Sequence, residues 1–295
     1  MRLTSARTFF IVALLAALAA ACGDDSSGGE PDGPDRATST SGFHVTIAAP
    51  EQLEIGPSRF VFALDDPRQR PVLNARAHVK FYFIDPKANN RKTIKSSVDA
   101  AQVSLEKRYS FTRDDGETVT MGPGETGVYA NEIAFDQPGD WVVEITGAAG
   151  TANLGMMEVA FAVGEVAAGL QKGALAPVSI PEIGGALSAG RPTVITFGNL
   201  GACYSAVCGP LTEVAHELAD AHADEAEYLF FGFATDDASP ALPTWATTDW
   251  GVGLDQAVFF IDADGVVRGR VETIASYAEL EAHLAALLPQ VRASY

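Results

Sequence analysis

Pro192-Thr-Val-Ile-Thr-Phe197-Gly-Asn-Leu-Gly-Ala-Cys203-Tyr-Ser-Ala-Val-Cys208-Gly-Pro210 decides how the C-terminal third of this 295-residue chain is read. Thr193–Phe197 is a compact β-branched run, the pattern of a strand buried on both faces. From Pro210 to Ala221 the apolar residues fall at 211, 214, 215, 218 and 219, a helical stripe, and Pro210 suits a first helical turn. Cys203 and Cys208 therefore lie between a buried strand and the start of a helix. A thiol at a helix start faces unpaired N–H groups and the positive end of the dipole, both of which favour thiolate. Two such sulfurs held close supply what reversible disulfide chemistry needs.

Downstream the alternation of strand and helix continues. Glu227–Ala234 reads as a second strand and Pro240–Trp250 as a short helix or structured loop. Ala257–Ile261 and Val266–Val271 flank Asp262-Ala-Asp-Gly265, a hairpin turn in which glycine supplies the permissive dihedral. Ser276–Leu288 closes the chain as a helix opened by a Ser-x-x-Glu capping box, Ser276 to Glu279.

With this order of elements, and with Cys203–Pro210 at the first strand-to-helix junction, residues 191 to 290 resemble the thioredoxin-like superfamily, in particular a bacterial C-x4-C-G-P subgroup. The resemblance extends to Pro192–Phe197 and to Trp250-Gly-Val followed by Asp262-Ala-Asp-Gly265. It implies an α/β thioredoxin-like domain with Cys203 and Cys208 as catalytic residues, Cys203 attacking and Cys208 resolving. Three departures qualify it. Four residues separate the cysteines where thioredoxins have two. In a continuous helix residues five apart rise about 7.5 Å, whereas bridged Cα atoms lie within about 7 Å, so a disulfide requires the helix to begin near Cys208. Cys208-Gly-Pro-Leu211 also mimics a Cys-Gly-Pro-Cys motif that has lost its last cysteine. Finally, Gln256 stands where thioredoxins carry a cis-proline that receives the partner's cysteine.

A static disulfide fastening loop to helix is the plain alternative, and it would contribute roughly 2 to 3 kcal/mol. Copper handling of the Sco type is another, but His216, His222 and His283 all fall on helices and none at a loop-ligand position. No nucleophile elbow, phosphate-binding glycine loop or HExxH helix occurs. No cofactor and no metal is expected. Tyr204 and Trp250 read as packing residues.

Residues 43–164 read as all-β. Phe43–Ala48, Arg59–Leu64, Ala77–Ile84, Tyr109–Arg113, Gly127–Phe135, Asp140–Thr146 and Met156–Val163 are short, aromatic and β-branched runs. Turn residues such as Gly56-Pro57, Asp114-Asp115-Gly116 and Pro138-Gly139 separate them. About seven strands at this spacing predict an antiparallel immunoglobulin-like sandwich. The run from Gly127 to Ile145 resembles the closing hairpin of small exported immunoglobulin-like modules, the YtkA-like ones among them. His44 and His78 lack further ligands at metal spacing, and of Met156 and Met157 one should face inward and pack.

The N-terminus carries Arg2 and Arg7, an apolar stretch from Phe9 to Ala21, and Ala19-Ala-Ala-Cys22. That is the layout of a secretory signal, too short for a comfortable span of about 20 residues. A cysteine at the break resembles a bacterial lipoprotein signal, which implies that Cys22 becomes the lipidated first residue. Leu18 stands four positions before it instead of the usual three. Residues 24–42 contain no large apolar side chain and read as a flexible tether. With Arg2 and Arg7 removed, 18 basic residues stand against 38 acidic ones, a formal charge of −20 that argues against nucleic acid as a partner.

The expected organisation is a signal peptide at 1–21, a disordered tether at 22–42, an immunoglobulin-like sandwich at 43–164, a linker at 165–190 and a thioredoxin-like domain at 191–295. The expected function is membrane-anchored, extracytoplasmic thiol–disulfide exchange with an exported protein partner. A non-enzymatic binding or assembly lipoprotein with a structural disulfide is the second reading.

Overall fold

The computed structural model describes residues 36–49, 53–112, 118–165, 170, 172–198, 210–232, 243–252 and 256–288, and residues Asp32–Tyr295 form one compact unit. The strands before residue 165 are β1 (Arg36–Thr38), β2 (His44–Ala49), β3 (Leu53–Glu54), β4 (Gly56–Asp65), β5 (Arg76–Asp85), β6 (Arg91–Asp99), β7 (Ala101–Ser104), β8 (Tyr109–Thr112), β9 (Thr118–Met121), β10 (Gly127–Phe135), β11 (Gly139–Ala149), β12 (Ala152–Asn153) and β13 (Met157–Gly164). After them come α1 (Pro181–Leu187), β14 (Thr193–Gly198), α2 (Pro210–Ala221), β15 (Glu227–Gly232), α3 (Thr244–Thr248), β16 (Ala257–Ile261), β17 (Val267–Glu272) and α4 (Tyr277–Ala285).

Two sheets face each other in the N-terminal part, ordered β1-β2-β4-β10-β7 and β3-β13-β11-β5-β6, and this part is compatible with an all-β sandwich. β5 and β11 bury alternate residues, Ala77, Val79 and Phe81 on one, Trp141, Val143 and Ile145 on the other, because only one face of their sheet meets the core. Rings from both sheets interlock edge-on, Phe60 against Phe81 at 5.0 Å and Phe135 against Trp141 at 5.1 Å. Met157 is buried and Met156 exposed, as adjacent strand positions require.

β4 and β10 behave differently. Phe60, Val61 and Phe62 are all buried, as are Val128, Tyr129 and Ala130. Phe60, Phe62 and Tyr129 point into the sandwich. Val61, Val128 and Ala130 point the other way, into a second core shared with Leu211, Val214 and Leu218 of α2 and Leu280 and Leu284 of α4. This sheet is therefore covered on both sides.

β8 and β9 pair as a small two-stranded third sheet, and the fourth has the order β15-β14-β16-β17, with β14 parallel to β15 and antiparallel to β16. All six residues of β14 are buried. One face, carrying Val194, Val258 and Phe260, packs on α2 and α4. The other, carrying Ile195, Phe197 and Phe259, packs on Trp250, Ile183 and Leu170.

The expectation of a sandwich followed by an α/β thioredoxin-like domain is corrected here. The described residues are 49% strand and 17% helix, in four sheets with few helices, and they lack a clear α/β thioredoxin-like layout. The reason lies in what covers the fourth sheet. α1 has 7 residues and α3 has 5, so short helical turns and an extended segment cover one face in place of a helical layer. On the other face α2 and α4 share their apolar surface with Val61 of β4, with Val128 and Ala130 of β10, and with Leu105 and Tyr109.

Smaller differences have local causes. Within the expected linker at 165–190 the structure has one short helix, α1, which begins at Pro181, a proline at the first helical position where no N–H is needed. Arg36–Thr38, within the expected tether, pair with β2 through the backbone ladder and through Thr38 Oγ1 and His44 Nδ1 at 2.8 Å. β6, RKTIKSSVD, was not expected because nearly all of it is exposed, and only its pairing with β5 makes it a strand. The Ser276 cap is present: its Oγ accepts from Glu279 N at 3.1 Å. At the hairpin, Gly265 has φ +77° and donates to Asp262 O.

Candidate functional site

Cys203, Cys208 and Tyr204 fall in 199–209, outside the described residues, as do Cys22 and the signal and tether up to residue 35. What the structure gives is the frame from which the cysteine segment departs and to which it returns. Gly198 pairs with Gly232 in β15, and Phe197 pairs with Ala257 in β16. The segments 199–209, 233–242 and 253–255 therefore all connect at one end of the fourth sheet.

Beneath that end the polar groups are unusual. Gln256 is 2% exposed, and its Oε1 accepts from Thr212 N in the first turn of α2 at 3.3 Å. Its Nε2 is buried with no hydrogen-bond partner among the described residues. Thr212 Oγ1 and Thr196 Oγ1 share that condition. Thr196 lies one strand repeat from Gly198, on the β14 face that meets α2. A Cβ on Gly198 would stand 2.6 Å from Thr212 Oγ1, so the first turn of α2 rests directly on the end of β14 and glycine is needed there. Buried polar atoms are normally paired; three orphans in one layer are an exception that asks for a reason.

A contrasting polar cluster joins the sandwich to the C-terminal part. Arg59, with a 7% exposed side chain, donates to both oxygens of Glu279 at 2.6 and 3.0 Å, to Glu272 O at 2.9 Å and to Ile274 O at 2.8 Å. Tyr109 donates to Glu217 of α2 at 2.8 Å, and Lys107 pairs with the same carboxylate at 2.6 Å. Burial, together with the bond to Glu217, pushes the Tyr109 phenol well above its usual range.

Beside Arg59 a cleft of about 500 Å³ opens between β4 and β17, with Lys172, Glu132, Arg270 and His283 among its walls. The His283 ring stacks on Phe260 at 5.0 Å and lies over Gly269, where a Cβ would come within 2.7 Å of Nδ1. Burial lowers the His283 pKa from 6.5 and favours the neutral imidazole.

The other sequence candidates are engaged in packing or in surface hydrogen bonds. His216 stacks on Phe230 at 3.9 Å, His222 sits between Tyr277 and Glu225, and His78 bonds to Asp99 and Ser97. His44 bonds to Thr38 at 2.8 Å. Trp250 is fully buried and donates to Ser179 Oγ at 3.2 Å. Among the described residues no group of three or more His, Cys, Asp or Glu is arranged to hold a metal, and no helix is long and apolar enough to cross a membrane.

Gln256 was legible in the sequence only as a departure from a proline; its bond to α2 was not. Arg59 gave no signal, since its carboxylate partner is 220 residues away. No protein-family model matches the chain, and no curated protein is significantly similar to it.

Proposed function

We propose that this chain performs thiol–disulfide exchange through Cys203 and Cys208, at the exported face of a bacterial membrane to which lipidated Cys22 anchors it. The observation that carries the reading is the buried, partly unpaired polar floor of Gln256, Thr212 and Thr196 at the sheet end from which the cysteine segment departs. A purely structural loop gains nothing from orphaned donors, whereas a sulfur that alternates between thiolate and disulfide needs groups whose bonding is open in one state. The reading rests on the sulfurs and this floor and needs no particular family. Its substrate class is an exported protein disulfide or dithiol.

The test is insulin reduction by the reduced full chain, with the reduction potential of the Cys203/Cys208 couple measured alongside. Turnover that disappears in the Cys203→Ser/Cys208→Ser protein, with a potential above about −300 mV, supports exchange. No turnover and a lower potential make the bridge structural and leave a non-enzymatic binding lipoprotein. For the anchor, fatty-acid labelling and membrane fractionation should both be lost in Cys22→Ser.

A further inference from the structure

The cleft beside Arg59 has two unlike walls, and all 14 residues that line it are among the described residues. The sandwich supplies Glu54, residues 56–59 and Glu132, and the C-terminal part supplies Lys172, Arg268 and Arg270. Most of these charges are already engaged. Arg59 is bound to Glu279, Arg268 to Asp262 and Arg270 to Glu272. Burial keeps the His283 imidazole neutral, so it adds no charge.

Two groups of opposite sign remain. Glu132 lies opposite Arg59 in the β4–β10 register, yet Arg59 turns its guanidinium to Glu279. Lys172 is set beside β17 by backbone bonds from Gly173 N to Val267 O at 2.7 Å and from Val267 N to Ala174 O at 2.9 Å. Both side chains are exposed, and among the described residues neither enters a hydrogen bond or an ion pair. Each still acts on the same imidazole, Glu132 raising and Lys172 lowering the His283 pKa. The two charges therefore face one space from its two sides without closing across it. The rest of the lining includes apolar Ile55, which is 37% exposed, Pro57 and Leu170, and also Gly56, where a Cβ would meet nothing within 4 Å. Main-chain groups are open as well. β2 runs beside β4 only from Val61 to Asp65, so among the described residues 56–60 carry a ladder on the β10 side alone.

We propose that this cleft binds a short peptide with free termini and an apolar side chain, its ammonium on Glu132, its carboxylate on Lys172 and its amide against the open edge of β4. The volume of about 500 Å³ lies within the span of small-molecule sites, which favour boundaries between structural parts. A bipolar guest suits walls of opposite charge better than a simple anion, which the acidic chain repels at long range. A lone amino acid uses the two poles but leaves the open main chain unused, whereas a peptide amide pairs with it. The assignment asks nothing of Cys203 or Cys208.

The experiment is isothermal titration of the full chain with leucyl-leucine, N-acetyl-leucyl-leucine, leucyl-leucinamide and leucine. Leucyl-leucine should bind with a Kd below about 1 mM, and blocking either terminus should weaken it about fivefold. Glu132→Gln should weaken leucyl-leucine about fivefold and leave the N-acetyl peptide unchanged, because that peptide brings no ammonium. Lys172→Met should weaken leucyl-leucine by about the same factor and leave the amide unchanged. Both positions are exposed, so the urea midpoint should stay where it is in the unaltered chain.

Absence of leucyl-leucine binding at about 1 mM overturns the proposal, and that measurement needs no variant. Equal affinity for the free and the blocked peptides also overturns it, because the poles then play no part. A loss in either variant that is the same for every peptide means loosening of the cleft and overturns it too. Leucine binding as tightly as leucyl-leucine overturns the peptide assignment and leaves an amino-acid site.

Discussion

The Arg59 junction and the first turn of α2 are both buried polar clusters, yet they are built on opposite principles. At the junction every donor of Arg59 that is used meets a carboxylate oxygen or a carbonyl, and the pairing joins the sandwich to α4. At α2, Gln256 Nε2, Thr212 Oγ1 and Thr196 Oγ1 are desolvated without a partner among the described residues. The first arrangement stabilises the fold and the second weakens it. The paired junction marks structure, and the three orphans gathered at the first turn of α2 mark a place to look for chemistry, whereas single orphans such as Asn131 Oδ1 and Tyr228 Oη lie elsewhere.

The largest expected effect is at the junction. Arg59→Met leaves Glu279 and two carbonyls without their partner and should destabilise the chain by about 3 kcal/mol or more, read from urea unfolding. Because α4 and the sandwich share one core, far- and near-UV signals should be lost together; separate transitions would break the comparison. Tyr109→Phe removes a hydrogen bond to a charged acceptor and should cost about 1.5 kcal/mol.

A smaller effect concerns pH. The folded-state pKa of His283 is depressed by burial, with Glu279, Glu132, Lys172 and Arg59 as its charged neighbours. The unfolded chain therefore binds the proton more readily. The contribution of His283 to stability is whole above pH 6.5 and declines as the pH falls through the window beneath it. Denaturant midpoints measured over that window should slope in the unaltered protein and flatten in His283→Leu.

The smallest effect sharpens the contrast. Thr196→Val preserves shape and removes an orphaned hydroxyl, so stability should stay level or rise by up to about 1 kcal/mol. A loss of more than that would mean that Thr196 has a partner and belongs with the satisfied cluster.

Strands whose faces differ in environment were readable from the sequence. Ala77, Val79 and Phe81 alternate with polar neighbours because one face is wet, and the pattern in the letters is the pattern in space. β14 was equally plain, since a strand buried on both faces must be apolar and β-branched throughout. The fold class was misread because the order of strands and helices does not reveal what covers them. Val61, Val128 and Ala130 look like spare apolar residues in a sandwich strand, and only the docked α2 and α4 explain them. β6 escaped notice because a polar edge strand has no hydrophobic period. At the site, the cysteines were conspicuous and Gln256 was a single odd letter. The polar floor at that sheet end depends on side chains brought together from β14, α2 and the lead-in to β16, and no local pattern encodes that meeting.

The outer edge of β6 has one more implication. It pairs with β5 and, among the described residues, with no other strand, so its free backbone row is a template on which another chain could grow. Lys92 and Lys95 stand on that margin, bound to Glu158 and Asp136, with exposed Ile94 between them. A strand added there would have to desolvate these ion pairs as well as the backbone. Charge here guards against polymerisation, and swapping both lysines for valine should turn crowding itself into a cause of fibre growth.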